Sequence, residues 1–150
     1  MTDVQRLIDI EAIRQLKAKR LRAIDAKDWP LYQSLHTTDH VSDTYGGEQQ
    51  VGAAENCAHL KALLDGVTTI HHVHIYEIEF ADADNASGIW AMEDWLHWTQ
   101  DGAAHWLHGW GHYHERYRRE NTEWRFCYRR LDRIRVEKSE GADLALRDKL

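Results

Sequence analysis

The chain has few residues that break or staple a fold. Of its 150 residues, one is proline and two are cysteine. Cys57 and Cys127 make no disulfide framework, so both are expected as free thiols in a reducing compartment. No apolar run approaches the roughly 20 residues that a membrane-crossing helix needs. Met1, Thr2, Asp3 and Val4 lack the basic and apolar stretches of a secretion signal, so a cytoplasmic location without a membrane partner is expected. Glycine fingerprints for dinucleotides, phosphate loops, an HExxH pair and Cys pairs are all missing, so no cofactor and no metal are expected. Excess positive charge is missing as well. Nineteen basic residues face 25 acidic ones, a net charge of −6 with histidine neutral. That argues against a nucleic-acid partner. The arginines between Arg116 and Arg135 are interleaved with acids and apolar residues and read as solvated strand faces.

What is abundant is tryptophan and histidine, seven and eleven residues. Both rings suit a pocket that is apolar but holds a few hydrogen bonds. The length fits one domain with a real core. That domain is expected over residues 1–138, with a frayed, charged tail over 139–150. Thr2 and Gln5 form a capping-box pattern. Leu7, Ile10, Ile13, Leu21 and Ile24 follow at helical spacing, predicting a helix from about residue 3 to 26. Asp28 and Pro30 open a second, short helix with Leu31 and Leu35 buried. His40 to Tyr45 reads as a strand ending at Gly46-Gly47, and 51–65 as a third helix stopped by Asp65-Gly66. Strands near 67–81, 87–100, 104–119 and 123–137 follow, separated by Asp84-Asn85, Asp101-Gly102 and Asn121-Thr122. Helices followed by an antiparallel meander give an α+β class. A strongly curved sheet wrapped around a long helix would leave one apolar cavity, open at one end.

Within the meander, alternation puts Trp90, Met92, Asp94, Leu96 and Trp98 on one face. It puts Trp124, Phe126, Tyr128 and Arg130 on one face of the last strand. An acid on an apolar face needs a reason, and Asp94 reads as a pocket residue. The competing reading is an ion pair at a subunit interface. His71 and His72 point to opposite faces, so only one of them enters the cavity. His108, His112 and His114 share a strand face, but without further ligands they make a poor metal site.

Ile10–Lys17, Asp25–Trp29, Thr69–His74, Gly88–Trp95 and Gly109–Tyr117 together resemble the SnoaL-like branch of the nuclear transport factor 2-like superfamily. The resemblance spans about residues 5–137. It implies a cone of three helices and a curved, mainly antiparallel sheet. Among the enzymes of that superfamily, the pattern is similar to scytalone dehydratase, bile acid 7α-dehydratase and γ-hexachlorocyclohexane dehydrochlorinase. The resemblance implies a dyad of Asp25 and His71, with Asp94 as a further catalytic group. A carboxylate that holds an imidazole fixes its tautomer and makes it a better base. Arg20, at a position that is tyrosine in the bile acid dehydratase and lysine in the dehydrochlorinase, and Tyr45, or its neighbour Thr44, are implied substrate contacts. Trp90, Met92, Phe126, Tyr128 and Arg130 are expected to line the cavity with them. The expected activity is that of a cofactor-independent lyase (dehydratase or dehydrohalogenase) or isomerase, taking a proton from a small apolar cyclic substrate. Alternatives are a non-catalytic small-molecule binder and the small scaffold subunit of a ring-hydroxylating oxygenase. The Trp- and His-rich outer strand faces suggest a homodimer or homotrimer.

Overall fold

The computed structural model describes residues 2–45 and 48–149, leaving aside the side chains of Thr44, Tyr45 and Glu48. The long helix α1 (Asp3–Asp25) starts where Thr2 accepts a hydrogen bond from the Gln5 amide at 3.2 Å. The short helix α2 (Trp29–Ser34) starts at Asp28, which accepts from the Leu31 amide at 3.1 Å. Pro30 lies in its first turn, where a missing N–H costs nothing. Strands β1 (His36–Tyr45) and β2 (Glu48–Val51) come next, then α3 (Ala53–Leu63). The meander is β3 (Thr68–Phe80), β4 (Asn85–Gln100), β5 (Ala103–Glu120) and β6 (Glu123–Lys138). The six strands form one curved sheet in the order β2-β1-β6-β5-β4-β3. Only the β1–β6 pair is parallel among the described residues. No described helix is long and apolar enough to cross a membrane.

The α+β cone is the architecture expected from the sequence, with differences in detail. β1 starts four residues earlier than its alternation suggested. β2 occupies positions whose polar run, Glu48-Gln49-Gln50, carries no strand pattern. Gly46 and Gly47, the expected end of β1, lie outside the described residues. Leu7 is 67 % exposed, so the buried stripe of α1 is not the plain apolar one. It runs Ile13, Leu16, Lys17, Arg20, Leu21, Ala23 and Ile24, with two cations in its middle.

That stripe sits against the inner sheet face and divides the core in two. Ile13 and Leu16 pack with Trp90, Met92, Tyr113 and Phe126. Ala23 and Ile24 pack with Tyr32, Leu60, Leu96 and Trp98. Lys17 lies between, fully buried, with its ammonium 2.5 Å from Glu115 and 3.8 Å from the Tyr113 ring centroid.

β6 departs from simple alternation. Phe126 pairs with Tyr117 and Tyr128 with Arg116, so Cys127 is an extra residue in a β-bulge. A bulge swaps the faces beyond it. Trp124 and Phe126 point inward, but the inward residues then become Arg129, Leu131 and Arg133. Tyr128 and Arg130 turn to the other face, contrary to the expectation that they share a face with Phe126. There Tyr128 donates to Asp43 at 3.1 Å and lies under the Arg116 guanidinium, while Arg130 pairs with Asp132 at 2.8 Å.

Residues 139–149 are not frayed. Ser139 joins the Trp106 backbone through two hydrogen bonds of 3.0 and 3.1 Å, and the Asp143 amide donates to Gln100 at 3.0 Å. A one-turn helix, Leu144–Leu146, follows. Arg147 then donates to the carbonyls of Asp65 and Ala62 just past and at the end of α3. The Asp148 carboxylate accepts from the Asp101 and Gly102 amides at 3.2 and 3.3 Å. The segment is a strap tied at both ends. In sequence it reads as frayed because its partners are distant backbone groups.

Candidate active site

The end of α1 lies beside the start of β3. There the Asp25 carboxylate receives three hydrogen bonds. His71 Nδ1 is 2.6 Å from Oδ1, Thr69 Oγ1 donates to the same oxygen at 2.9 Å, and the His71 backbone N–H donates to Oδ2 at 3.0 Å. Lys27 in turn donates to Thr69 at 3.0 Å. Partial burial pushes the Asp25 carboxyl up. The bonds from the His71 ring, the His71 backbone and Thr69 pull it down further, and it ends below its ordinary value. An ionised carboxylate only accepts, so the proton between the pair belongs to His71 Nδ1. That leaves Nε2 of a neutral ring unprotonated.

Asp25 stands behind the ring, outside the cavity, whereas His71 lines it. His72 points the other way, 3.5 Å from Glu93 and largely exposed. On the cavity side, His71 Nε2 lies 4.0 Å from Asp94 Oδ2. Asp94 is 3 % exposed and bound bidentately by Arg133, at 2.6 and 2.8 Å. Such a fork fixes a carboxylate in both position and plane. Gly109 pairs with Asp94 across β4–β5, and a Cβ there would collide with the Arg133 guanidinium and the Asp94 carboxylate. Only glycine leaves room for the clamp.

The cavity encloses about 260 Å³, a volume suited to one small ring system. Its apolar wall is aliphatic, with Ile24, Leu60, Leu96, Leu107, Leu131 and the strap's Leu144. Trp90, Met92 and Phe126, expected as lining residues, belong instead to the closed core beside it. Met92 meets the site through its sulfur, 3.9 Å from Arg133 Nη1. The side chain of Tyr45 lies outside the described residues.

Arg20 does reach the cavity. It is 1 % exposed, and its fork is held on two sides. Nε donates to His36 Nε2 at 3.1 Å, and Nη2 donates to the Tyr32 hydroxyl at 3.0 Å. Tyr32 donates onward to Asn56 at 2.6 Å, and both residues line the cavity. The His36 Nδ1–H faces the Tyr32 carbonyl at 2.7 Å. Burial and the neighbouring Arg20 charge keep the His36 ring neutral, well below its ordinary pKa.

Sequence reasoning missed Arg129, Arg133, Tyr32 and Asn56. The first two were hidden by the bulge. Tyr32 was legible only as one of several residues on a six-residue helix. The outer sheet face is a separate matter. His108 lies 3.3 Å from Glu93 and His114 3.3 Å from Asp132. No three His, Cys, Asp or Glu side chains among the described residues are grouped to hold a metal.

The profile of the SnoaL-like domain matches residues 5–130. Among solved structures, the chain is similar to a hexachlorocyclohexane dehydrochlorinase, LinA type 2. The identity is 20 % over 94 % of this chain and 95 % of that one, with a TM-score of 0.83. It is also similar to a scytalone dehydratase-like protein from Novosphingobium aromaticivorans, at 16 % identity over 91 % of both chains and a TM-score of 0.81. A protein of unknown function from Mycobacterium tuberculosis, Rv3472, is 25 % identical over 90 % of this chain and 78 % of its own, with a TM-score of 0.76.

Proposed function

The chain belongs to the SnoaL-like family, and from that premise we propose that it is a cofactor-independent lyase or isomerase. In this reading His71 removes a proton from a small cyclic substrate, with Asp25 as its orienter. The observation that carries the proposal is the 2.6 Å contact from Asp25 to His71 Nδ1, which leaves Nε2 free toward the cavity.

The roles follow from charge. Nε2 takes the proton from carbon, and the ring becomes an imidazolium. Asp25 stabilises it through Nδ1–H, and Asp94 faces the new N–H from the cavity side. The electron pair left on carbon either expels a leaving group from the neighbouring carbon or moves onto a carbonyl oxygen. In both cases negative charge grows away from His71, and Arg20 is the cation held ready for it. Leucine walls keep water scarce, which strengthens these interactions.

The reading is tested by proton exchange, which needs no knowledge of the natural leaving group. A panel of cyclic ketones in D2O is followed by NMR. At least one ketone is expected to exchange α-protons on the wild type, with a loss of about 10²–10⁴-fold in His71→Ala. Exchange that survives the substitution undiminished would remove His71 from the chemistry.

The same family reading extends to assembly. Trp95 stacks on His108 at 3.5 Å between centroids, and His108 packs on Trp110 at 3.8 Å, all on the outer sheet face. His108 is buried between the half-exposed Trp95 and Trp110, and such aromatic surface favours a homodimer or homotrimer. Light scattering should give two or three times the chain mass of 17.6 kDa; a monomer at high concentration contradicts it.

A further inference from the structure

We propose that Asn56 is the carbonyl-binding residue of the cavity: its side-chain N–H donates to the oxygen of a cyclic ketone whose α-proton His71 removes. The inference rests on the reading of this cavity as the reaction site, and names the group that holds the oxygen of the substrate.

The argument starts from an odd residue on α3. The buried face of that helix carries Ala53, Cys57, Leu60 and, just past its end, Leu64. Asn56 is buried with them, 3 % exposed. Asparagine is a poor helix former, and a buried amide is costly unless its polar groups are met. One end of this amide is met. Arg20 Nη2 can only donate, so the Tyr32 oxygen accepts from it, at 3.0 Å. The Tyr32 O–H then donates onward to Asn56 Oδ1 at 2.6 Å. That series fixes which end of the amide is oxygen and leaves Nδ2 at the other.

The second observation is where Nδ2 stands. It makes no hydrogen bond among the described residues, yet it is not one of the buried polar atoms sealed from open space. Asn56 lines the cavity, so the free donor is presented there. Arg20 differs. Its Nε and Nη2 are engaged and its Nη1 is sealed. Its charge therefore acts on a ligand through Tyr32 and Asn56 rather than by contact. Each bond in that series polarises the next, which strengthens the outgoing N–H.

The chemistry of the ligand follows. The wall around Asn56 is leucine-rich. A ring that displaces water there without supplying an acceptor leaves the N–H unpaired, so a hydrocarbon or halocarbon is penalised. Nδ2 offers no acceptor for a hydroxyl proton, whereas a carbonyl needs none. In the reaction the α-proton moves to His71 Nε2 and the C–H electron pair forms a C=C bond. The C=O π pair moves to oxygen. The enolate oxygen then accepts more strongly from Nδ2, which keeps its proton throughout. Return of the proton to carbon restores the carbonyl.

The test is infrared spectroscopy of 2-tetralone, labelled with ¹³C at the carbonyl and bound to the full chain. Calorimetric titration compares the ketone with tetralin, the same rings without the oxygen. The bound C=O stretch is expected below its frequency in hexane. Asn56→Asp keeps an acceptor for Tyr32 but loses the N–H. It should move the stretch back up and lower the affinity of the ketone relative to tetralin by about tenfold, the effect of one hydrogen bond. Tyr32→Phe, which interrupts the series but leaves Asn56, should place the stretch part-way between. Circular dichroism checks that both variants fold, and the wild-type frequency stands without them. No binding of the ketone, a wild-type stretch no lower than in hexane, or a stretch and affinity ratio unchanged in a folded Asn56→Asp would each overturn the assignment. A stretch unchanged in Tyr32→Phe would overturn the part given to Tyr32 and Arg20. The spectrum is read without turnover. A failure of proton transfer at His71 leaves a shifted carbonyl standing, and proton exchange that persists beside an unshifted carbonyl overturns the role of Asn56 alone.

Discussion

At the residue scale, Asp25 shows how one carboxylate serves both fold and site. It ties the end of α1 to β3 through Thr69 and the His71 backbone, and it holds the His71 ring. Its pKa is lower in the fold than the ordinary 3.8. A depressed carboxyl contributes stability that is fully present above the unfolded value and is lost as pH falls through the folded one. The stability gap between wild type and Asp25→Asn should therefore shrink as pH falls below about 4. Urea melts across that range read it, and a gap independent of pH would mean that the ionised form of Asp25 is not what the fold uses. The pairing of Asp25 with His71 was expected in sequence through the family resemblance, which the helix end Asp25–Trp29 and the strand start Thr69–His74 help to carry. Arg20 was likewise marked by the resemblance, though not its bonds to His36 and Tyr32. Those depend on where α2 packs.

At the element scale, the reach of periodicity decided what could be read. β4 alternates without interruption, and Trp90, Met92, Asp94, Leu96 and Trp98 are all buried, on the face that alternation assigned them. β6 alternates only up to Phe126. One extra residue at Cys127 then exchanges Tyr128 and Arg130 for Arg129 and Arg133, and no local signal marks it. β2 is four residues long and polar, so it depends on pairing with β1. The strap after Lys138 was misread for the same reason, since it is ordered by distant carbonyls and amides rather than by its own pattern. Its attachment to the end of α3 rests on Arg147. Arg147→Ala should release the strap, lowering hydrogen-exchange protection at the Asp143 and Asp148 amides. Global stability should change by about 1 kcal/mol or less. Unchanged protection at those amides would show that Arg147 does not tie the strap down.

At the scale of the whole molecule, the sheet's curvature around α1 puts the ends of several elements in one place. Asp25 comes from the end of α1, His71 from the start of β3, Asp94 from the middle of β4, Arg133 from β6 and Leu144 from the strap. The cone and its class follow from element order and length, which the sequence displays. The composition of the cavity wall does not, because it depends on register and on long-range packing. The wall turned out leucine-rich and arginine-rich, with the tryptophans divided between the closed core and the outer face. The central claim is that Asp25 fixes the Nδ1–H tautomer of His71, so that Nε2 faces this cavity as the base. The most direct measurement is the ¹⁵N NMR spectrum of the His71 ring at neutral pH, in the wild type and in Asp25→Asn. The expected result is the Nδ1–H tautomer with a strongly deshielded, slowly exchanging proton, lost in the variant. A wild-type ring in the Nε2–H tautomer, or one whose spectrum ignores the loss of Asp25, would contradict the account.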